Sequence, residues 1–226
     1  MNAAATRPTQ GAAVSGVENV PIRIRLATDD DAAGILSVYA PYIDTPITFE
    51  ESVPSAEEFS ARIAHIQAGY PYLVAETVST PNSGETPRIV GYAYAHAQAE
   101  RAAYGWNAEL SVYLSPETRG RGLGTVLYRA LVDLVREQGV KAAYALVTVP
   151  NAASEHLHEA FGFTCMGVQK NAGYTCGAWR DVAWLVLALA PFDAEPEPVV
   201  PFPTLASERP ETVRSVLARA NACAKG

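Results

Sequence analysis

Residues 119–124 read Arg-Gly-Arg-Gly-Leu-Gly, set between the strand-like run Glu109–Leu114 and a strongly periodic helix. Glycine lets a chain turn tightly and bring its amide N–H groups against an anion. The N-terminus of the helix that follows adds roughly +0.5 of an elementary charge. Together these make a pyrophosphate cradle. Two familiar phosphate loops do not fit it. A Walker loop ends in Gly-Lys-Ser/Thr, whereas Thr125 follows Gly124 with no lysine. The dinucleotide fingerprint is G-x-G-x-x-G, whereas Gly120, Gly122 and Gly124 space as G-x-G-x-G.

Outward from the loop, the helix expected over Gly122–Gln138 carries Leu123, Leu127, Leu131, Leu134 and Val135 on one face, and Gly139 ends it. Upstream, Ile22–Ala27 alternates apolar and basic residues like a strand with one wet face. Thr28 and Asp29 offer caps for a helix to about Ala40, which Pro41 stops. Ser55 and Glu58 have the spacing of a capping box, and Gly69 closes that helix. Tyr72–Glu76 and Arg88–Ala97 form an expected hairpin around the polar turn Thr80–Pro87. Downstream come a strand at Ala142–Val147, a helix at Ser154–Phe161 and late strands at Thr164–Lys170 and Val182–Leu189. Strands interleaved with helices predict an α/β layered fold, more fully an α+β mixed sheet whose first part is antiparallel.

At 226 residues the chain suits one domain with terminal extensions. The expected divisions are a flexible leader over 1–21, a domain over 22–190, and a Pro/Glu-rich linker with a short helix over 191–226. The linker covers Pro191–Pro203, and the helix Pro210–Ala222 puts Val213, Val216, Leu217 and Ala220 on one side. A net charge of −7 argues against nucleic acid as a partner, and no apolar run is long enough to span a bilayer. Cys165, Cys176 and Cys223 make no CxxC and no paired framework, which points to a reducing cytoplasm. No His/Cys/Asp spacing resembles a metal ligand set.

The spacing Arg119-x-x-Gly122-x-Gly124 resembles the acetyl-CoA loop of the GNAT superfamily of N-acetyltransferases, and the element order from Ile22 to Leu189 is similar to the GNAT fold, a central twisted mixed sheet flanked by helices. Four words resemble the phosphinothricin or methionine sulfoximine N-acetyltransferase branch. They are Thr48-Phe-Glu, Arg101-Ala-Ala-Tyr-Gly-Trp-Asn-Ala-Glu-Leu-Ser-Val-Tyr-Leu, Pro150-Asn-Ala-Ala-Ser-Glu-His-Leu-His-Glu-Ala-Phe-Gly-Phe, and Tyr174-Thr-Cys-Gly-Ala-Trp-Arg-Asp-Val-Ala-Trp. The resemblance implies acetyl-CoA as cosubstrate, held by Val112, Tyr113, Leu114, Arg119, Gly120, Arg121, Gly122, Leu123, Gly124 and Thr125. It adds Asn151, against the pantetheine arm, and Ser154; both residues also suit helix capping. It further implies a small-molecule amine as the other partner, and a homodimer.

The implied reaction is direct attack of an amine on the thioester. An amine attacks only when neutral, and an α-amino group has a pKa of about 8, so the enzyme must remove a proton. Glu109 matches the family's glutamate in W-x-x-E-x-S-V-Y and is the leading base, its pKa expected to rise through burial beside Trp106 and Tyr113. His158 stands where many GNAT enzymes carry a tyrosine acid; it could protonate the leaving thiolate or complete a proton path from the amine. His156 lies on another helix face, and His65 and His96 read as structural or surface residues. Arg101 and Tyr104 match the word that would bind the substrate's anionic groups, and Thr48, Phe49 and Glu50 match the entrance to the amino-acid site. Ala99 stands where some members have lysine and Thr175 where members commonly do, which suggests weaker affinity for doubly anionic phosphinothricin and a preference for sulfoximines, sulfones or another amine. Cys165 and Cys176 have no neighbouring base and read as structural. The alternatives are acetylation of a protein N-terminus or other amine, and a non-catalytic CoA-binding module.

Overall fold

The computed structural model describes residues 20–79, 86–193 and 195–224. The leader expected over Met1–Pro21 lies outside them except for residues 20 and 21, and so does most of the turn expected over Thr80–Pro87. The strands are β1 (Ile22–Leu26), β2 (Tyr72–Thr77), β3 (Ile89–Ala97), β4 (Asn107–Leu114), β5 (Ala142–Val149), β6 (Thr164–Thr175) and β7 (Ala178–Ala188). They form one sheet in the order β1-β2-β3-β4-β5-β7-β6. Each neighbouring pair is antiparallel except β4 with β5. The helices are α1 (Ala32–Tyr39), α2 (Ala56–Gln67), α3 (Leu123–Glu137), α4 (Ala152–Phe161), α5 (Phe202–Glu208) and α6 (Pro210–Cys223).

Helix α3 crosses one face of the sheet because its apolar stripe has nowhere drier to go. Leu127, Leu131 and Leu134 are fully buried against Leu73, Ala93, Ala95 and Leu110, and each such leucine contributes about 1.5–3 kcal/mol. The opposite face carries α1 and α2, whose Ile35, Val38, Tyr39, Phe59 and Ile63 pack on Tyr72, Val74 and Tyr92. The capping box of α2 forms as the spacing predicts, with the Ser55 hydroxyl accepting from Glu58 N–H at 3.1 Å and the Glu58 carboxylate accepting from Ser55 N–H at 2.9 Å.

Beyond shifts of one or two residues at element ends, three features differ from the sequence reading. Pro41 does not stop the first helix outright but sits inside a 3-10 turn, Ala40–Tyr42. A proline in the first turn of such a helix sacrifices no hydrogen bond. β6 and β7 are longer than expected, meeting across Cys176 and Gly177 at φ 48° and 73°; their pairing shifts register at Cys165/Gly167 and again at Gln169/Gly173, and the second bulge carries β6 past Lys170. α5 begins within the stretch expected to be extended linker. It folds because Phe202 and Leu205 find the same core that takes Val213, Val216 and Ala220 of α6.

The tail also closes an edge of the sheet. Asn221 of α6 accepts from Ile24 N–H and donates to Ile24 C=O, both at 2.8 Å, so its amide stands in for a strand beside β1. Asn221→Leu is expected to lower stability by about 1–3 kcal/mol, since it strands two backbone groups at once. The urea midpoint at constant m-value measures this, and an unchanged midpoint would show that water replaces the amide without loss.

Candidate active site

The loop between β4 and α3 has the left-handed backbone that its glycines foretell. Gly120 and Gly122 lie at φ 74° and 76°, and a Cβ at either would meet nothing within 4 Å. These two are glycine for conformation, on a side open to a ligand. Gly124 differs: its Cβ would come 3.3 Å from Leu114 Cδ1, so here glycine lets α3 approach the end of β4. Among the described residues no side chain caps α3, which leaves the N–H groups of Leu123, Gly124 and Thr125 for an anion. Arg119, Arg121 and Thr125 are exposed around it. The Arg119 guanidinium lies over the Tyr42 ring at 4.9 Å from its centroid.

Behind the loop the sheet opens. Among the described residues β4 pairs with β5 at Asn107–Ala142, Ala108–Ala143 and Glu109–Tyr144, and there the pairing stops, although both strands continue. At the far end the Tyr42 hydroxyl fills the gap, donating to Leu114 C=O at 2.7 Å and accepting from Leu114 N–H at 3.0 Å. Val112, two residues earlier, turns its backbone the same way, toward the parted edge. With Leu114 held by Tyr42, the parted edge of this wedge offers strand-like hydrogen bonding at Val112, between the glycine loop and Glu109. A long amide-bearing arm ending in a pyrophosphate fits that shape, and so the residues present fit acetyl-CoA. Tyr42 escaped the sequence reading because nothing local ties it to a loop 80 residues later.

Glu109 lies at the apex of the wedge with its side chain 21% exposed. Burial pushes its carboxyl above the usual range, and the facing imidazole of His96 pulls it part of the way back. Trp106, expected beside Glu109, sends its indole N–H to Glu197 C=O in the tail at 2.8 Å. His96 is placed opposite Glu109 by the β3–β4 register, Nε2 to Oε1 3.8 Å. The sequence reading of His96 as a structural or surface residue did not anticipate this neighbour. Its alternation with Tyr92 and Tyr94 was the available signal, since period two puts all three on one face.

His158 is 4% exposed on α4. Its Nδ1 donates to Ser154 C=O at 2.7 Å, which makes Nε2 the acceptor for the Tyr128 hydroxyl at 3.0 Å. Burial holds the imidazole below its ordinary pKa, with the Ser154 bond opposing, so the ring is neutral at pH 7. Tyr128 of α3 is fully buried, and the charge of Glu109 adds to burial in raising its phenol. The phenol is therefore electrostatically within reach of the carboxylate on one side and hydrogen-bonded to His158 on the other. Asn151 caps α4, its Oδ1 accepting from Ser154 N–H at 3.2 Å.

The three entrance residues form a tight turn. Phe49 has φ 55°, and Glu50 N–H donates to Thr48 Oγ1 at 3.3 Å. Glu50 is committed to Tyr39 and Arg62, at 2.9 and 2.6 Å. The Phe49 ring lies against Gly173 of β6. The bonds of Glu50 to Tyr39 of α1 and Arg62 of α2 set this turn on the α1–α2 side of the sheet, the side that the register gives to Glu109. Arg101 and Tyr104 are exposed on the β3–β4 connection, where they line an open depression of about 370 Å³ with Gln98, Ala99 and Glu100. Among the described residues no hydrogen bond or ion pair joins them to the Thr48–Glu50 turn, nor is any group of three or more His, Cys, Asp or Glu side chains set to hold a metal ion.

Comparison with known proteins converges on one family. Residues 24–184 match the model of the acetyltransferase (GNAT) domain. A phosphinothricin N-acetyltransferase of Streptomyces viridochromogenes is 35% identical over 168 residues, 74% of this chain and 87% of that protein. An L-methionine sulfoximine/L-methionine sulfone acetyltransferase of Pseudomonas aeruginosa is 33% identical over 175 residues, 76% and 98% of the two chains. Among solved structures, a phosphinothricin acetyltransferase from Sinorhizobium meliloti in complex with acetyl-CoA superposes with a TM-score of 0.70 at 34% identity, covering 79% of this chain and 93% of that one.

Proposed function

The chain belongs to the GNAT acetyltransferase family, and we propose that it moves the acetyl group of acetyl-CoA to the amino group of a small amino-acid analogue of the phosphinothricin or methionine sulfoximine/sulfone type. The observation that carries this reading is the parting of β4 from β5 between the glycine loop and a half-buried carboxylate at its apex. Acetyl-CoA, when bound, supplies a thioester carbon that a neutral amine can attack. The loop amides and Arg119 or Arg121 would take its diphosphate, and the parted edge of β4 its amide-bearing arm. Glu109 would accept the ammonium proton, its burial-raised pKa suiting a base that works near neutrality. His158, neutral and tied to Tyr128, suits a proton path behind the reacting groups better than an isolated acid.

Substrate recognition would fall to the Thr48–Glu50 turn, with Arg101 and Tyr104 as anion donors. The relatives named for these two analogues, one third identical over most of their length, favour that class over protein N-termini. We assign the working form as a homodimer: β6 is exposed over most of its length, and its Tyr174 and the neighbouring Trp179 of β7 stand 60% and 63% exposed. No helix among the described residues is long and apolar enough to cross a membrane, and all three cysteines are free thiols; the cytoplasm is the compartment assigned. A thiol-release screen with acetyl-CoA tests the function. The expected order is methionine sulfoximine, methionine sulfone or phosphinothricin well above common amino acids and N-terminal peptides. Preference for the peptides would overturn the substrate class, and failure to bind acetyl-CoA in calorimetry would overturn the whole reading.

A further inference from the structure

The aromatic wall on the α1–α2 face of the sheet ends in a histidine that no part of the reaction has yet used. Tyr72 stacks on Tyr94, and Tyr94 on His96, with centroids 5.0 and 5.9 Å apart. His96 Nδ1 lies 2.9 Å from Ala97 C=O. A carbonyl can only accept, so Nδ1 carries the hydrogen, and the lone pair of the neutral ring is on Nε2, the nitrogen facing Glu109 Oε1. The side chain of His96 is 36% exposed against 21% for Glu109, so the imidazole has the greater access to solvent. Their 3.8 Å gap is one that a small rotation or a single water closes.

We propose that His96 is the proton relay of this site, receiving at Nε2 the proton that Glu109 takes from the substrate ammonium and passing it to solvent. This rests on the acetyltransferase reading above. In the first step an N–H bond of the ammonium breaks, its electron pair stays on nitrogen, and an O–H bond forms on Glu109. In the second that O–H bond breaks, an N–H bond forms at His96 Nε2, and water or buffer then removes a proton from the imidazolium. The overall conversion of an ammonium and a thioester into an amide and a thiol releases one proton, which is the proton so delivered. The titratable groups facing Glu109 are His96 and Tyr94 of β3, Tyr128 of α3 and, in register on β5, Tyr144. Phenols titrate near 10, and burial raises those of Tyr94 and Tyr128 further. Among these groups His96 alone combines a nitrogen 3.8 Å from the Glu109 carboxylate with a lone pair aimed at it.

The test compares His96→Phe, which keeps the stack on Tyr94, and His96→Gln with the unaltered protein. The substrates are acetyl-CoA and the best amine from the screen above. The expected result is a loss of about 10-fold in kcat/KM at pH 7, smaller than for a group that meets the reactant, and recovered by added imidazole. The acid limb of the pH profile should move to higher pH. In the ligand-free protein, the side-chain 13C titration of Glu109 should also move up in His96→Phe, because the downward pull of His96 on that carboxyl is gone. Superimposable pH profiles, or a loss that imidazole does not relieve with no movement of the Glu109 titration, would overturn the relay while leaving the acetyltransferase reading intact. Absence of turnover in the unaltered protein would overturn both.

Discussion

Glu109→Gln is expected to lower kcat by about 10²-fold or more while leaving acetyl-CoA binding close to that of the unaltered protein. The amide has nearly the same shape, so the apex of the wedge and the β3–β4 and β4–β5 pairing around it persist. What disappears is the capacity to hold a proton. The loss should be steepest at low pH, where unassisted neutral amine is scarcest, and should narrow as pH approaches the pKa of the free amino group, because the substrate then arrives already deprotonated. For the unaltered protein, activity should fall on the acid side as Glu109 takes up a proton, and its raised pKa places that fall above the range of an ordinary glutamate. Steady-state thiol release from pH 5.5 to 9, with calorimetry for acetyl-CoA, measures both quantities. Near-normal kcat in the variant would remove Glu109 from the chemistry and leave the fold and the loop untouched.

The largest expected effect on stability lies away from the wedge. Arg25 of β1 donates to both oxygens of Asp31 at 2.6 and 2.8 Å and to Glu76 Oε2 at 2.6 and 2.9 Å. Asp31 and Glu76 are each buried. For both, burial alone would push the carboxyl up, but the hydrogen bonds from Arg25, with Thr28 on Asp31 and Arg23 on Glu76, outweigh it and hold both below the usual range. Arg25→Met strands buried charge, for which 3–5 kcal/mol is typical. About 3 kcal/mol is expected here, because Arg23 still pairs with Glu76 and Thr28 still donates to Asp31. That corresponds to a melting point lower by roughly 6–12 °C in a domain of this size. The sign with pH follows from the depressed carboxyls. Their stabilisation is complete above the unfolded pKa values, about 4, and is lost as pH falls through the folded values. The gap between the two proteins should therefore be full at pH 7 and shrink below pH 4. Coincident urea midpoints at pH 7 would show that the cluster rearranges without cost.

How much of this was legible beforehand depended on whether the relevant physics is local. The glycine loop, the stripe of α3 and the capping box of α2 follow from neighbours within four residues, and each forms where its spacing places it. So does the Asn151 cap. The first of the late strands was read as ending at Lys170, where Asn171 and Gly173 look like breakers, and a bulge, invisible in one strand alone, accommodates them. His96 was set aside because its partner depends on register, and a shift of one residue would have turned it to the other face. Tyr42, Tyr128 and the docking of α5 and α6 were hidden for the same reason, since each contact spans tens of residues or more. Local propensity and periodicity thus determined the elements and the conformation of the anion loop. The parting of β4 from β5, the apex carboxylate with its imidazole neighbour, and the clasp of Asn221 on β1 were decided when distant segments met, because burial and pairing register exist only between chains already packed together.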